Sequence, residues 1–185
     1  YDVNGAEQWR VAHTSFGADG EIVNQTDAPA VSMMVGALFL KGIQTNVFSM
    51  SKSDSTDLPV AQTTAVGFSP LACMLVSDCK TTTTVTDDAR IAIGIADGNS
   101  EAAFQSQDID AADPTVASDF VSLTKGFAMA DDDTPTTTAE ADVSFSGDNV
   151  AFSLTTNNAV ATLIRGLAFG GPEVGGSPGQ GGGSG

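Results

Sequence analysis

The sequence predicts an all-β protein, an antiparallel, jelly-roll-like β-sandwich with an extended N-terminal arm and a glycine-rich C-terminal tail. Three observations lead there. Apolar residues alternate with polar or small ones at a period of two in segment after segment, the spacing that sets one side of a strand against a core. One stretch, Leu71 to Ser77, is apolar or small throughout and reads as a strand buried on both faces. Clusters of Gly, Pro, Asn and Asp punctuate the chain between such segments, as tight turns require.

Taken in order, residues 1–28 are polar and rich in turn formers, with a short β-like segment at Trp9–Thr14 and a turn at 17–20, and read as an arm or edge. Ala30–Leu40 is an apolar run whose length suits a short buried helix or a strand; Val31, Val35 and Gly36 favour the strand. Ile43–Met50 alternates and is rich in β formers. Val60–Val66 then leads into Gly67-Phe-Ser-Pro70. Pro70 has no N–H for a sheet ladder, so it opens the strand Leu71–Ser77, the expected middle of the core.

Ala89–Ala96 alternates strictly. Ile91, Ile93 and Ile95 are expected to face inwards, leaving Ala92, Gly94 and Ala96 as a face small enough for another layer or subunit to approach. A turn at Asp97–Ser100 precedes a strand at Glu101–Gln107. Residues 108–119 are acidic, carry Pro114 and read as a loop, and short strands follow in Phe120–Thr124 and Gly126–Ala130. The clearest hairpin is Ala139–Phe145, a turn at Ser146–Asn149, and Val150–Thr155. Ala159–Phe169 closes the fold. The domains that follow are an arm at 1–28, a sandwich at 29–171 and a tail at 172–185, whose run of Gly has almost no side chain to bury. The expected core comprises Phe68, Pro70, Leu71, Leu75, Ile91, Ile93, Ile95, Phe145, Phe152 and Leu154.

Composition narrows the function classes. The 185 residues carry 7 Lys and Arg against 23 Asp and Glu, a formal charge of −16. Phosphate contacts need clustered cations, so nucleic acid is not an expected partner, and an anionic membrane surface would repel the chain. The longest apolar run falls well short of the roughly 20 residues that cross a bilayer, so membrane insertion is not expected. The charge reads first as solubility and second as a capacity for cations. Cys73 lies inside the apolar strand and Cys79 just past its end; a free buried thiol is the favoured reading of Cys73, since two cysteines make no disulfide scaffold.

The chemistry of a catalytic site is thinly represented. His13 is the single histidine, in the polar N-terminal segment, and no Gly-x-Ser-x-Gly elbow, phosphate-cradling loop, Cys-x-x-Cys or His-x-x-x-His pair occurs. The expectation is a protein that is not an enzyme, with no catalytic or cofactor-binding residue. Two acidic clusters are candidates for Ca2+: Asp108, Asp110 and Asp113, and the run Asp131–Asp133. Neither has the spacing of an EF-hand loop, so solvated carboxylates are the favoured reading. Asn24-Gln-Thr26 matches a glycosylation sequon.

Four segments in order carry a resemblance: Val66–Val76 with its Gly-Phe-x-Pro elbow, Asp88–Gly98, Ala141–Leu154, and Ile164–Gly171. Together they resemble a family of β-sandwich structural proteins from tailed viruses and their proviruses. The hairpin departs from that family's usual Asp-Gly-Phe, having Asp148, Asn149 and Val150, and the first 40 residues are unmatched. The resemblance implies a virion structural protein at the virion surface, decorating or stabilising a capsid or tail as a symmetric oligomer, with a trimer the expected state. Its partners would be its own copies and other virion proteins. The glycine-rich end of the chain has too little to bury to be held by its own fold, so Gly170, Gly171 and Val174 at the root of the tail are the expected assembly contacts. Some members of that family are similar to H-type lectins, so a carbohydrate- or receptor-binding module contacting host glycan is the alternative, and a cellular surface or filament subunit a further one.

Overall fold

Extended backbone accounts for every regular element, as the alternating pattern requires, and no helix occurs among the described residues. The structure is a computed structural model and describes residues 10–17, 20–27, 42–80, 89–109, 116–130 and 137–172. The chain divides into two units, Tyr1–Lys41 with Thr84–Asp87, and Gly42–Thr83 with Asp88–Gly185. The expected arm at 1–28 thus falls within a unit that runs to Lys41. Ala30–Leu40 lies outside the described residues, as do the tail residues 173–185.

In the first unit β1 (Arg10–Gly17) and β2 (Gly20–Asp27) pair as an antiparallel hairpin. His13 stands opposite Val23, and the sequon falls within β2.

The second unit holds β3 (Ile43–Lys52), β4 (Val60–Ala65), β5 (Pro70–Ser77), β6 (Ala89–Ala96), β7 (Glu101–Ile109), β8 (Val116–Ser122), β9 (Phe127–Met129), β10 (Ala139–Ser146), β11 (Asn149–Thr156) and β12 (Thr162–Pro172). Two antiparallel sheets form from them, a six-stranded one in the order β3-β12-β5-β6-β7-β8 and a four-stranded one in the order β4-β11-β10-β9. This is the predicted sandwich. The β10–β11 hairpin turns through Gly147, whose φ of 60° suits the first central position of a two-residue turn and costs glycine nothing. The loop expected at 108–119 is shorter than its acidity suggested, because β7 continues to Ile109 and β8 begins at Val116.

The core lies between the sheets. From the four-stranded sheet come Phe127, Met129, Ala141, Val143, Val150, Phe152 and Leu154, all buried; from the six-stranded sheet come Phe48, Met50, Cys73, Leu75, Ala92, Ala96, Ile164 and Ala168. Phe127 and Phe152 meet edge to face at 6.4 Å, an arrangement worth about 0.5–1.5 kcal/mol beyond its buried area. Of the expected core residues, Pro70, Leu75, Phe152 and Leu154 are buried, and Phe68 and Phe145 are partly buried against the cluster.

The isoleucines of β6 need a correction. Ile91 and Ile95 are exposed, Ile93 is half-buried on the same side, and the inward positions belong to Ala92, Gly94 and Ala96. The cause is the close approach of the segment entering β9: a β-carbon on Gly94 would collide with the Gly126 carbonyl oxygen. Only the small face of β6 fits against that backbone, so the large face turns out. Leu71 is corrected likewise. It sits beside the irregularity where Gly170 of β12 pairs with Pro70, and it is 59% exposed.

One end of the interior is polar. Lys52 is 1% exposed, and its Nζ donates to Asn157 Oδ1 at 2.6 Å, Asn158 Oδ1 at 2.9 Å and the carbonyls of Ser53 and Asn158. The ammonium thereby ties the end of β3 to the loop between β11 and β12. Ser77 Oγ donates to the Leu163 carbonyl at 2.7 Å and accepts from the Cys79 N–H, joining β5 to β12.

Candidate functional site

A strand shows alternate residues to opposite faces, so what β6 withholds from the core it presents on the outside of the six-stranded sheet. The register makes this a pattern across the sheet. One row runs Val47, Leu167, Met74, Ile95 and Ala102, each residue opposite the next on the neighbouring strand. The adjacent row runs Ser49, Arg165, Val76, Ile93, Phe104 and Val121. Ile91, Ser106 and Asp119 begin a third. Val47, Met74, Ile91, Ile95, Phe104, Val121 and the nearby Leu123 are all exposed, three of them by more than 60%.

Together these seven residues make an exposed, mainly apolar patch across one face of the sheet, the kind of surface that on a folded chain marks a site of interaction. At one end the face deepens into a cleft of about 620 Å³ between β5, β6 and the start of β7, lined by Ala72, Met74, Ile95, Ala102, Leu123 and Phe169, with Asp97 and Glu101 also on its wall.

The charged groups on this face are few and segregated. Arg165 projects from β12 on one side, while exposed Asp108 and Asp119 lie on β7 and β8 at the other. Beside the cleft, Asp97 Oδ1 accepts the N–H of Asn99 at 3.0 Å and of Ser100 at 2.8 Å, bonds that hold its carboxyl below the usual range. Glu101 Oε1 accepts the Val143 N–H at 2.7 Å and so links β7 to β10. Burial first, and the Glu101 carboxylate second, push the Cys73 thiol up to about 12, so it stays protonated at neutral pH. Cys73 and Cys79 are buried and unbridged. The geometry suits the docking of another apolar surface.

Asp108, the first of the expected metal ligands, is exposed opposite Ala89 and Ala117, whereas Asp110, Asp113 and Asp131–Asp133 lie outside the described residues. Among the described residues no three His, Cys, Asp or Glu side chains come together as a metal site. Of the expected assembly contacts, Gly170 is instead an internal packing position, since a β-carbon there would stand 2.6 Å from Phe68 Cδ2. Gly171 has open space around it, and Val174 lies outside the described residues. Sequence reasoning missed the outer face because it placed the isoleucines inside. The Ala-x-Gly-x-Ala series of β6 reads as a face for close approach by another layer; what approaches it is the backbone at Gly126 on the core side, so the large residues face out.

No protein-family model, curated protein or solved structure matches this chain.

Proposed function

We propose that this chain is a non-enzymatic structural subunit that works by association through the outer face of its six-stranded sheet, and that the assembly it joins is a virion, where it decorates or stabilises a capsid or tail. The observation that carries the association is the spread of outward-facing apolar side chains over adjacent rows of the sheet, Val47, Leu167, Met74 and Ile95 in one and Val76, Ile93, Phe104 and Val121 in the next. Exposing so much apolar surface is costly in water and invites aggregation, whereas covering it with a partner returns about 25 cal/mol for each Å² removed from solvent. The sandwich alone would not identify a role, because such folds host unrelated functions. The virion part rests on the sequence resemblance of the Gly-Phe-x-Pro elbow and the three segments after it. Mass spectrometry and immunogold labelling of density-purified particles from the source culture test it: the protein at stoichiometric levels on particles supports the reading. Its absence from them, with label on cell-surface filaments, overturns the virion part in favour of a cellular subunit.

A further inference from the structure

We propose that the outer face of the six-stranded sheet is covered by a second copy of this chain, packed face to face about a two-fold axis that runs along the strands between β5 and β6. The inference rests on the reading of that face as an interface and names its occupant. Its extent is the first argument: exposed apolar residues run from Val47 on β3 to Val121 on β8, across all six strands, and strands about 4.8 Å apart give that face the breadth of a standard stable interface of ~800 Å² per partner. Sheets stacked in this way lie about 10 Å apart with strands within about 30° of each other, so both apolar rows are covered along their length.

Self-complementarity is the second argument. A symmetric face-to-face contact is isologous and must therefore have a two-fold axis in its own plane, which makes a pair the state this face fits, not a trimer. Two orientations are available. An axis across the strands would lay β12 on the partner's β12 and bring the two Arg165 side chains together. An axis along the strands lays β12 over the partner's β7, and β3 over the partner's β8. In that arrangement Leu167 meets the partner's Ala102, large against small, and Met74 meets the partner's Ile95. Arg165 then lies over the partner's Phe104, beside the acidic side that carries Asp119 and Asp108. Each side of the face thus supplies what the other lacks.

Sedimentation of the full chain tests the pairing, using Arg165→Asp and Asp119→Arg separately and mixed. All the substituted side chains are exposed, and thermal melts confirm that each variant is folded. The wild type is expected to dimerise, and each variant alone to associate at least about tenfold more weakly, because like charges then face each other twice. The equimolar mixture is expected to recover dimers, since a heterodimer restores an opposite-charge pair at both symmetry-related positions. A wild-type chain that remains monomeric up to about 100 µM, far weaker than interfaces of this size hold, overturns the pairing and leaves the particle experiment to judge association with other proteins. Dimers that neither variant weakens, or that the mixture fails to restore, overturn the two-fold arrangement.

Discussion

Gly94 and Gly126 meet backbone to backbone across the interior, so closely that a β-carbon on Gly94 would overlap the Gly126 carbonyl oxygen. Gly126 is confined on its other side, where its own β-carbon would stand 2.6 Å from Val143 Cγ2, and its N–H donates to the Ala141 carbonyl at 3.0 Å. The obstacle to a larger residue is therefore main chain held by a hydrogen bond, which cannot swing aside as a flexible side chain could. Gly94→Ala is expected to cost about 2–3 kcal/mol through overpacking, a fall in Tm of roughly 5–10 °C for a chain of this size. Scanning calorimetry checks this; an unchanged Tm would show that the two backbones are not in contact.

The phase of β6 makes a sharper prediction. Ala92 is fully buried, whereas Ile95 is 52% exposed. Ala92→Asp buries an unpaired carboxylate and is expected to abolish cooperative unfolding, since the penalty of several kcal/mol is comparable to the whole stability of a domain. Ile95→Lys keeps its stem on the surface of the single chain and its ammonium in water, so at concentrations low enough that the chain is monomeric its Tm is expected to shift by less than about 3 °C. Melting both variants by circular dichroism decides the matter: a tolerated Ala92→Asp with an unfolded Ile95→Lys would put the isoleucines back inside.

These two sites also show what the sequence made legible. The β10–β11 hairpin was readable because Val143, Phe145, Val150, Phe152 and Leu154 alternate with polar neighbours around a glycine turn, so pattern and turn agree. In β6 both faces are apolar, and periodicity then fixes the strand without fixing which side is in. Ranking by hydrophobicity puts isoleucine inside, but the short distance to Gly126, set by residues more than 30 positions away, rules that out. Lys52 was unreadable for a related reason. The groups that accept its protons are Ser53 beside it and Asn157 and Asn158 at the far end of the chain, brought together only by the β3–β12 pairing. The same inversion of phase hid the centre of the candidate site, since Ile91, Ile93 and Ile95 are among the residues expected in the core.

Cys73 gives a pH dependence. Its thiol has a folded-state pKa of about 12 against an ordinary value of 9.0, because burial and the Glu101 carboxylate both oppose the thiolate. Below pH 9 the thiol is protonated whether the chain is folded or not, and the full stability is present. Above it the unfolded chain releases the proton and the folded one retains it, so stability falls as pH rises from about 9 towards 12. Cys73→Ala is expected to flatten that decline, compared with the wild type by urea unfolding at several alkaline pH values. An identical slope in both proteins would mean that other groups carry it.

The last prediction concerns salt, and it separates the two forces at the proposed pair interface. Each chain carries a formal charge of −16, so bringing two copies together opposes association through the summed field of both, while the Arg165 contacts with the partner's Asp119 favour it at only two points. The long-range repulsion acts through solvent, where the screening length falls from about 30 Å at 0.01 M salt to about 10 Å at 0.1 M, whereas contacts partly withdrawn from water are screened much less. Burial of the apolar rows does not depend on ions in this way and is strengthened, if anything, by salting out. Raising NaCl from about 20 to 500 mM is therefore expected to tighten self-association by roughly tenfold, read by sedimentation at constant pH. Lowering the pH from 7 towards 5.5 at low salt acts in the same direction, because the net charge shrinks as the pI near 4.1 is approached. Association that weakened as salt rose would instead assign the interface to its few ion pairs, and the apolar rows would lose their claim to be what holds two copies together.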